Sequence, residues 1–181
     1  MPRRAAPKAS KPVQSPKPAQ RAERAEPSEP EITREQLVTL LNEDLEREYQ
    51  AVIAYVVYSQ VIKGAQYMTI AKELEVHATE ELAHALTISR LVDYLGGVPA
   101  VTPKAVKISE NTVDLLRFDL DNENVTIEHY RRRVRQCQAL GLDAMVEDIR
   151  EILRQEQDHQ IALATALGKD VTQVAKPAQQ A

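Results

Sequence analysis

Six side chains in this sequence could hold metal ions together: Glu48, Glu81, His84, Glu123, Glu156 and His159. They form two sets with one spacing. Glu48 precedes Glu81 by 33 residues, and Glu123 precedes Glu156 by 33. Each second Glu opens a Glu-x-x-His, namely Glu81-Leu-Ala-His84 and Glu156-Gln-Asp-His159. Residues three apart on a helix share a face, so each motif offers one oxygen and one nitrogen to the same point. Such donors suit Fe(II), Mn(II) or Zn(II) better than the soft ligands that select copper. Six side chains shared by two ions leave coordination positions open. Open positions on iron admit O2 or peroxide, which favours redox chemistry over a closed structural site.

The surroundings of these residues matter more than the motifs, because a lone Glu-x-x-His occurs by chance on solvated helix faces. Glu48 lies on the apolar stripe Leu41, Leu45, Val52, Tyr55 and Ser59. Glu81 and His84 interrupt Leu74, Ile88 and Leu91; Glu123 interrupts Leu116, Leu120, Ile127 and Tyr130. Glu156 and His159 interrupt Ile149, Ile152 and Leu163. An unpaired buried carboxylate costs several kcal/mol or takes up a proton. Two divalent cations would balance four carboxylates.

The stripes define four helices. Thr33-Arg-Glu-Gln36 is a capping box, with Ile32 and Leu37 as a hydrophobic staple, so the first helix starts there and runs to about Ile62 before Gly64. The second stops at Gly96-Gly97, the third near Gly141 and the fourth at Gly168. Short Gly-containing connections make antiparallel hairpins of the first and second pairs. The middle link, about Gly97 to Ile108, contains Pro99 and Pro103 and is long enough to run nearly the length of the bundle. A shift of 75 residues superposes the first hairpin on the second: Asp44 on Asp119, Glu48 on Glu123, Val52 on Ile127, Tyr55 on Tyr130. A two-metal site would then lie on a pseudo-two-fold axis.

Composition agrees. Five Gly, one Phe and no Trp in 181 residues argue against sheet-based folds. One Cys excludes an intrachain disulfide and points to a reducing, cytoplasmic compartment. No apolar run is long enough to span a membrane. The net charge of −4 divides into +6 over residues 1–22 and −10 over the rest. Residues 1–30, rich in Pro, Ala and Lys, are expected to be a disordered basic tail. Residues 31–168 are expected to form the bundle, and 169–181 a flexible C-terminal tail.

These residues resemble the ferritin superfamily, most closely the bacterioferritin branch, over about 33–167. The resemblance rests on the run Leu41-Asn-Glu-Asp-Leu-Glu-Arg-Glu48, the turn Leu95-Gly-Gly-Val-Pro99, and Glu151-Ile-Leu-Arg-Gln-Glu-Gln-Asp-His159. It implies an all-α, ferritin-like four-helix bundle of two antiparallel hairpins joined by one long crossover. It implies a ferroxidase with two iron ions per subunit, Mn or Zn being substitutes, that oxidises Fe(II) with O2 or H2O2 for iron storage or detoxification. Glu81 and Glu156 would bridge the ions; Glu48 with His84, and Glu123 with His159, would be terminal. Two departures follow from residues of this chain. Leu82 stands where bacterioferritins carry the haem-binding Met, so haem is not expected. Few residues follow Gly168, and Pro177 is among them, so a smaller, Dps-like 12-mer stands beside a 24-mer shell, or a dimer. The basic tail resembles the DNA-binding tails of Dps proteins, which makes a nucleoid protein one alternative function. A rubrerythrin-like peroxidase or a manganese catalase is another.

Tyr55 and Tyr130 follow Glu48 and Glu123 by seven residues; either a ligand-bonding or electron-lending role or plain core packing fits such a Tyr. Asp119 could orient a metal-bound imidazole or lie solvated. His77 reads as a boundary residue or an entry ligand for iron, His129 as solvated, and Cys137 as a small core residue.

Overall fold

The computed structural model describes residues 32–170. Among them are four helices: α1 (Arg34–Val61), α2 (Met68–Tyr94), α3 (Thr112–Ala139) and α4 (Asp143–Ala166), with a 3-10 turn at Ala65–Tyr67 ahead of α2. The expected basic tail, with any DNA contact it makes, and the chain from 171 onward lie outside the described residues.

Local chemistry sets the helix ends. The Thr33 hydroxyl accepts from Gln36 N at 3.2 Å, and Thr33 N donates to Gln36 Oε1 at 2.9 Å, closing the capping box. Asn111 caps α3 by accepting from Val113 N at 2.8 Å. Gly64, with φ 121°, turns the chain between α1 and α2.

α1 packs mainly on α2 and α3 on α4, and the hairpins close the bundle through α1–α3 and α2–α4 contacts. The link from α2 to α3 lies along α1. Asn42 bonds Val98 O and Ala100 N, Glu46 O accepts from Lys104 N at 3.0 Å, and Gln50 donates to Ala105 O at 2.6 Å. Further on, Tyr58 donates to Lys107 O, and Lys63 N to the Thr112 hydroxyl at 3.3 Å. The contacts advance in one direction from Asn42 to Lys63, which is the expected crossover. This is an all-α, four-helix bundle of the ferritin-like topology.

The core is split. One apolar cluster holds Leu37, Leu41, Leu45, Ile88, Leu91, Tyr130, Cys137, Met145, Ile149 and Ile152. A second holds Ala54, Tyr55, Tyr58, Leu74, Leu115, Leu116, Leu120 and Leu163. On each helix, the six candidate ligands fall between the two clusters.

Two details of the sequence reading change, and one buried ion pair is new. Ser59 does not reach the core; it is half-buried, with its hydroxyl on Val56 O, and Tyr58 takes the buried place. His129 is half-buried rather than fully solvated, with its Nδ1 3.2 Å from Asp44 Oδ1. Arg133, beside the half-buried Val134, is itself buried and donates through Nε to Asp44 Oδ2 at 2.6 Å and through Nη2 to Leu40 O at 3.3 Å. This ion pair ties α3 to α1 at the end of the first cluster.

Removing one member of a buried ion pair leaves the other charge stranded. Arg133→Met is therefore expected to lower unfolding free energy by about 3 kcal/mol, read from urea denaturation. Gly97 is constrained by space: a Cβ there would fall 2.4 Å from Val38 Cγ1 and 3.1 Å from Val92 Cγ1. Gly97→Ala should cost about 1–3 kcal/mol in the same assay, the range of an overpacked core. An unchanged midpoint would show that the link relaxes away from α1.

Candidate metal centre

Each helix sends its charged side chains into the layer between the apolar clusters: Glu48 from α1, Glu81 and His84 from α2, Glu123 from α3, Glu156 and His159 from α4. All six are 1–3 % exposed. Their donor atoms form two groups, each lying within 4.8 Å: Glu48, Glu81, His84 and Glu156, and Glu81, Glu123, Glu156 and His159. Glu81 and Glu156 belong to both. His84 Nδ1 lies 3.4 Å from Glu48, 3.3 Å from Glu81 and 3.2 Å from Glu156. His159 Nδ1 lies 2.9 Å from Glu81, 3.5 Å from Glu156 and 3.9 Å from Glu123.

These atoms converge without satisfying one another. Glu48 Oε2, Glu81 Oε1, both Glu156 oxygens and His159 Nδ1 have no hydrogen-bond partner, although all are buried. The 2.9 Å approach of His159 to Glu81 is misaligned for a hydrogen bond. Native cores rarely leave polar atoms so. Buried oxygen and nitrogen donors aimed at two common points fit a pair of divalent cations. A cavity of about 10 Å³ between Gln50 and Ala51 of α1 and Asn122 and Thr126 of α3 reaches the four carboxylates.

The distal atoms of the same side chains are held. Tyr55 donates to Glu123, and Tyr130 donates to Glu48, each crossing from its own helix to the opposite hairpin. Burial drives both phenols well above their ordinary range, so they remain donors. His84 Nε2 meets Gln155 Oε1 at 2.8 Å, and His159 Nε2 meets Glu80 Oε2 at 2.8 Å. With Nδ1 directed at the carboxylates, each Nε2 carries its proton toward that acceptor. The sequence reading missed Glu80 and Gln155, although each immediately precedes a Glu-x-x-His and the 75-residue shift relates them. Asp119 orients neither ring: it is buried, with Oδ2 unpartnered, and burial followed by the Glu81 charge drives its carboxyl well above the usual range. His77 is buried with its ring stacked on His159 at 4.1 Å and its edge to Tyr55 at 5.3 Å. Burial and the neighbouring His159 pull its pKa down to about 3, so it is neutral. Cys137 is a core residue whose thiol burial pushes up to about 11.

Protons compensate the charge in the metal-free protein. Burial, and then the Glu81 and Glu156 charges, hold Glu48 and Glu123 well above the usual carboxylate range. Burial pushes Glu81 up too, but contacts with His159 and His84 outweigh it and hold it low. Burial opposes charge on His159, but its contacts with Glu156 and Glu81 prevail and push it up to about 12. For His159, the stabilisation is complete below the ordinary value of 6.5 and is lost as pH climbs toward 12. Glu48 and Glu123, also raised, lose their contribution in the same direction. His77 and Glu81, both lowered, act with the opposite sign but only below about 6.5. The melting temperature of the metal-free protein should therefore fall steadily above pH 6.5, and Zn(II) loading, which replaces those protons, should flatten the fall. Circular-dichroism melts at a series of pH values read this directly; a rise with pH would contradict the assigned charge states.

Comparison with known proteins agrees with this architecture. Residues 38–171 match the family model of the ferritin-like domain. The chain is 23 % identical over 124 residues to a bacterioferritin of Desulfovibrio desulfuricans, covering 68 % of this chain and 69 % of that one. Its fold is similar to ferritin-like diiron-carboxylate proteins of Bacillus anthracis, with a TM-score of 0.71 and 28 % identity over 74 % of this chain and 96 % of the other. It is also similar to the bacterioferritin-related dodecameric thioferritin of Bacteroides fragilis, with a TM-score of 0.67 and 25 % identity over 76 % and 88 % of the two chains. Four helices, one crossover, a polar layer inside an apolar core and a matching family model lead to one conclusion: the chain belongs to the ferritin-like family.

Proposed function

We propose that the chain is a ferroxidase that takes Fe(II) as substrate at a two-iron centre and stores or detoxifies the ferric product. One observation carries this reading: two buried oxygen–nitrogen donor groups share Glu81 and Glu156, and their inward atoms are unpartnered. Glu81 and Glu156, common to both donor groups, would be shared between two ions, with Glu48 and His84 holding one and Glu123 and His159 the other. Two Fe(II) ions supply two electrons, which reduce O2 with two protons to H2O2, or H2O2 with two protons to water. Tyr55 and Tyr130 steady the terminal carboxylates. Mixed carboxylate and imidazole donors also accept Mn(II) or Zn(II), neither of which gives ferric product. Haem has no part in this reading, since Leu82 occupies its expected place and lies half-exposed on α2.

A homo-oligomer belongs to the proposal. Ile53 and Val56 on α1, and Leu82 and Leu86 on α2, leave large apolar side chains exposed along the first hairpin, as a surface for further copies does. The structural relative from Bacteroides fragilis is a dodecamer. No helix among the described residues is long and apolar enough to cross a membrane.

Aerobic addition of Fe(II) to the metal-free protein tests the function. Ferric absorbance should develop faster than in buffer, and many more than two irons per subunit should remain soluble. Glu81→Ala with Glu156→Ala should abolish the acceleration. Uptake that saturates at two irons per subunit would remove storage from the proposal. Rapid H2O2 dismutation by a manganese-loaded protein, without iron oxidation, would replace it by a catalase.

A further inference from the structure

The 75-residue shift matches the two halves of the centre closely. Glu48 corresponds to Glu123, Glu81 to Glu156, His84 to His159 and Tyr55 to Tyr130. The tyrosine bonds are reciprocal, Tyr55 to Glu123 and Tyr130 to Glu48. Behind the imidazoles the geometry is matched as well, with both Nε2 contacts at 2.8 Å. The chemistry there is not. His159 faces the carboxylate of Glu80, whereas His84 faces the amide oxygen of Gln155. A second mismatch falls on the same half: His77 stacks on His159, and its counterpart under the shift is the apolar Ile152.

An imidazole that binds a cation through Nδ1 keeps its proton on Nε2. A carboxylate accepting that proton makes the ring a stronger donor than a neutral amide does, and it adds a negative charge near the ion. Resting on the two-iron reading above, we propose that Glu80 and Gln155 are positioning residues that make the two metal positions unequal. The position built from Glu123 and His159 is the tighter one and fills first; the position built from Glu48 and His84 fills second. Glu80, His77 and His159 also lie close enough to suggest a third cation site. Yet His159 Nε2 cannot donate to Glu80 and ligate an ion at once, so Glu80 acts through the imidazole.

Anaerobic titration of the metal-free, full-length protein with Co(II), followed by its visible absorption, separates these outcomes. The unmodified chain should bind two Co(II) in two steps whose affinities differ roughly tenfold, the lower end of what partners behind a metal ligand contribute. Glu80→Gln should weaken the first step roughly tenfold and merge the two. Gln155→Glu should merge them from the other side, by tightening the second. Agreement of the two variants excludes simple coupling through the shared carboxylates as the source of the gap. Equal steps in the unmodified chain, equal weakening of both steps by Glu80→Gln, or a third Co(II) lost in that variant would overturn the inference while leaving the two-metal reading intact. Absence of any Co(II) absorption would overturn both.

Discussion

Four carboxylates held inside an apolar bundle set the terms for everything else in this protein. Glu48, Glu81, Glu123 and Glu156 are almost wholly withdrawn from water, between two clusters of leucines, isoleucines and tyrosines. Their repulsion and lost hydration oppose folding unless positive charge enters the same layer. Protons and imidazolium rings supply part of it. Divalent cations would supply it better, because they would also occupy the unpartnered oxygen atoms. The clusters on either side give the layer its rigidity: each helix is fixed above and below the charged residues, so the donor atoms converge without a flexible loop among them. Stability and metal chemistry are therefore two readings of one arrangement.

Much of this could be read in the sequence. Apolar stripes at helical period, glycines after each helix and the Thr33 capping box located the four helices to within a few residues. The equal spacing of the two Glu…Glu-x-x-His sets brought all six donors to one layer. What escaped notice has physical reasons. The core face of a bundle helix is wider than one line, so Tyr58 could replace Ser59 without breaking the period. Arg133 stands on the stripe between Tyr130 and Cys137, where a charged residue is unexpected in an apolar core. Only an acid on another helix makes a buried Arg intelligible, and Asp44 is far away in sequence. Glu80 and Gln155 were invisible for the same reason. Their role depends on which ring lies opposite, a fact of packing between α2 and α4.

The two hairpins are alike in the candidate ligands and unlike in the residues behind them. Tyrosine hydroxyls fix the terminal carboxylates in the same way in both halves. The acceptors behind the imidazoles differ by one oxygen against one amide nitrogen. So small a difference leaves helix packing untouched and would still change the field at each candidate metal position. The outer residues are thus where such a centre can be tuned without disturbing its frame.

The strand of chain that follows α1 from Asn42 to Lys63 has a consequence beyond closing the bundle. Two separate copies of one hairpin could pair about a true two-fold axis and make the same six-residue site. Every substitution in such a dimer would appear twice, and its two halves would have to remain identical. By joining the hairpins covalently, the crossover gives each half its own codons. It frees residue 80 from residue 155, and so lets one polypeptide carry a division of labour that an exact duplicate could not evolve.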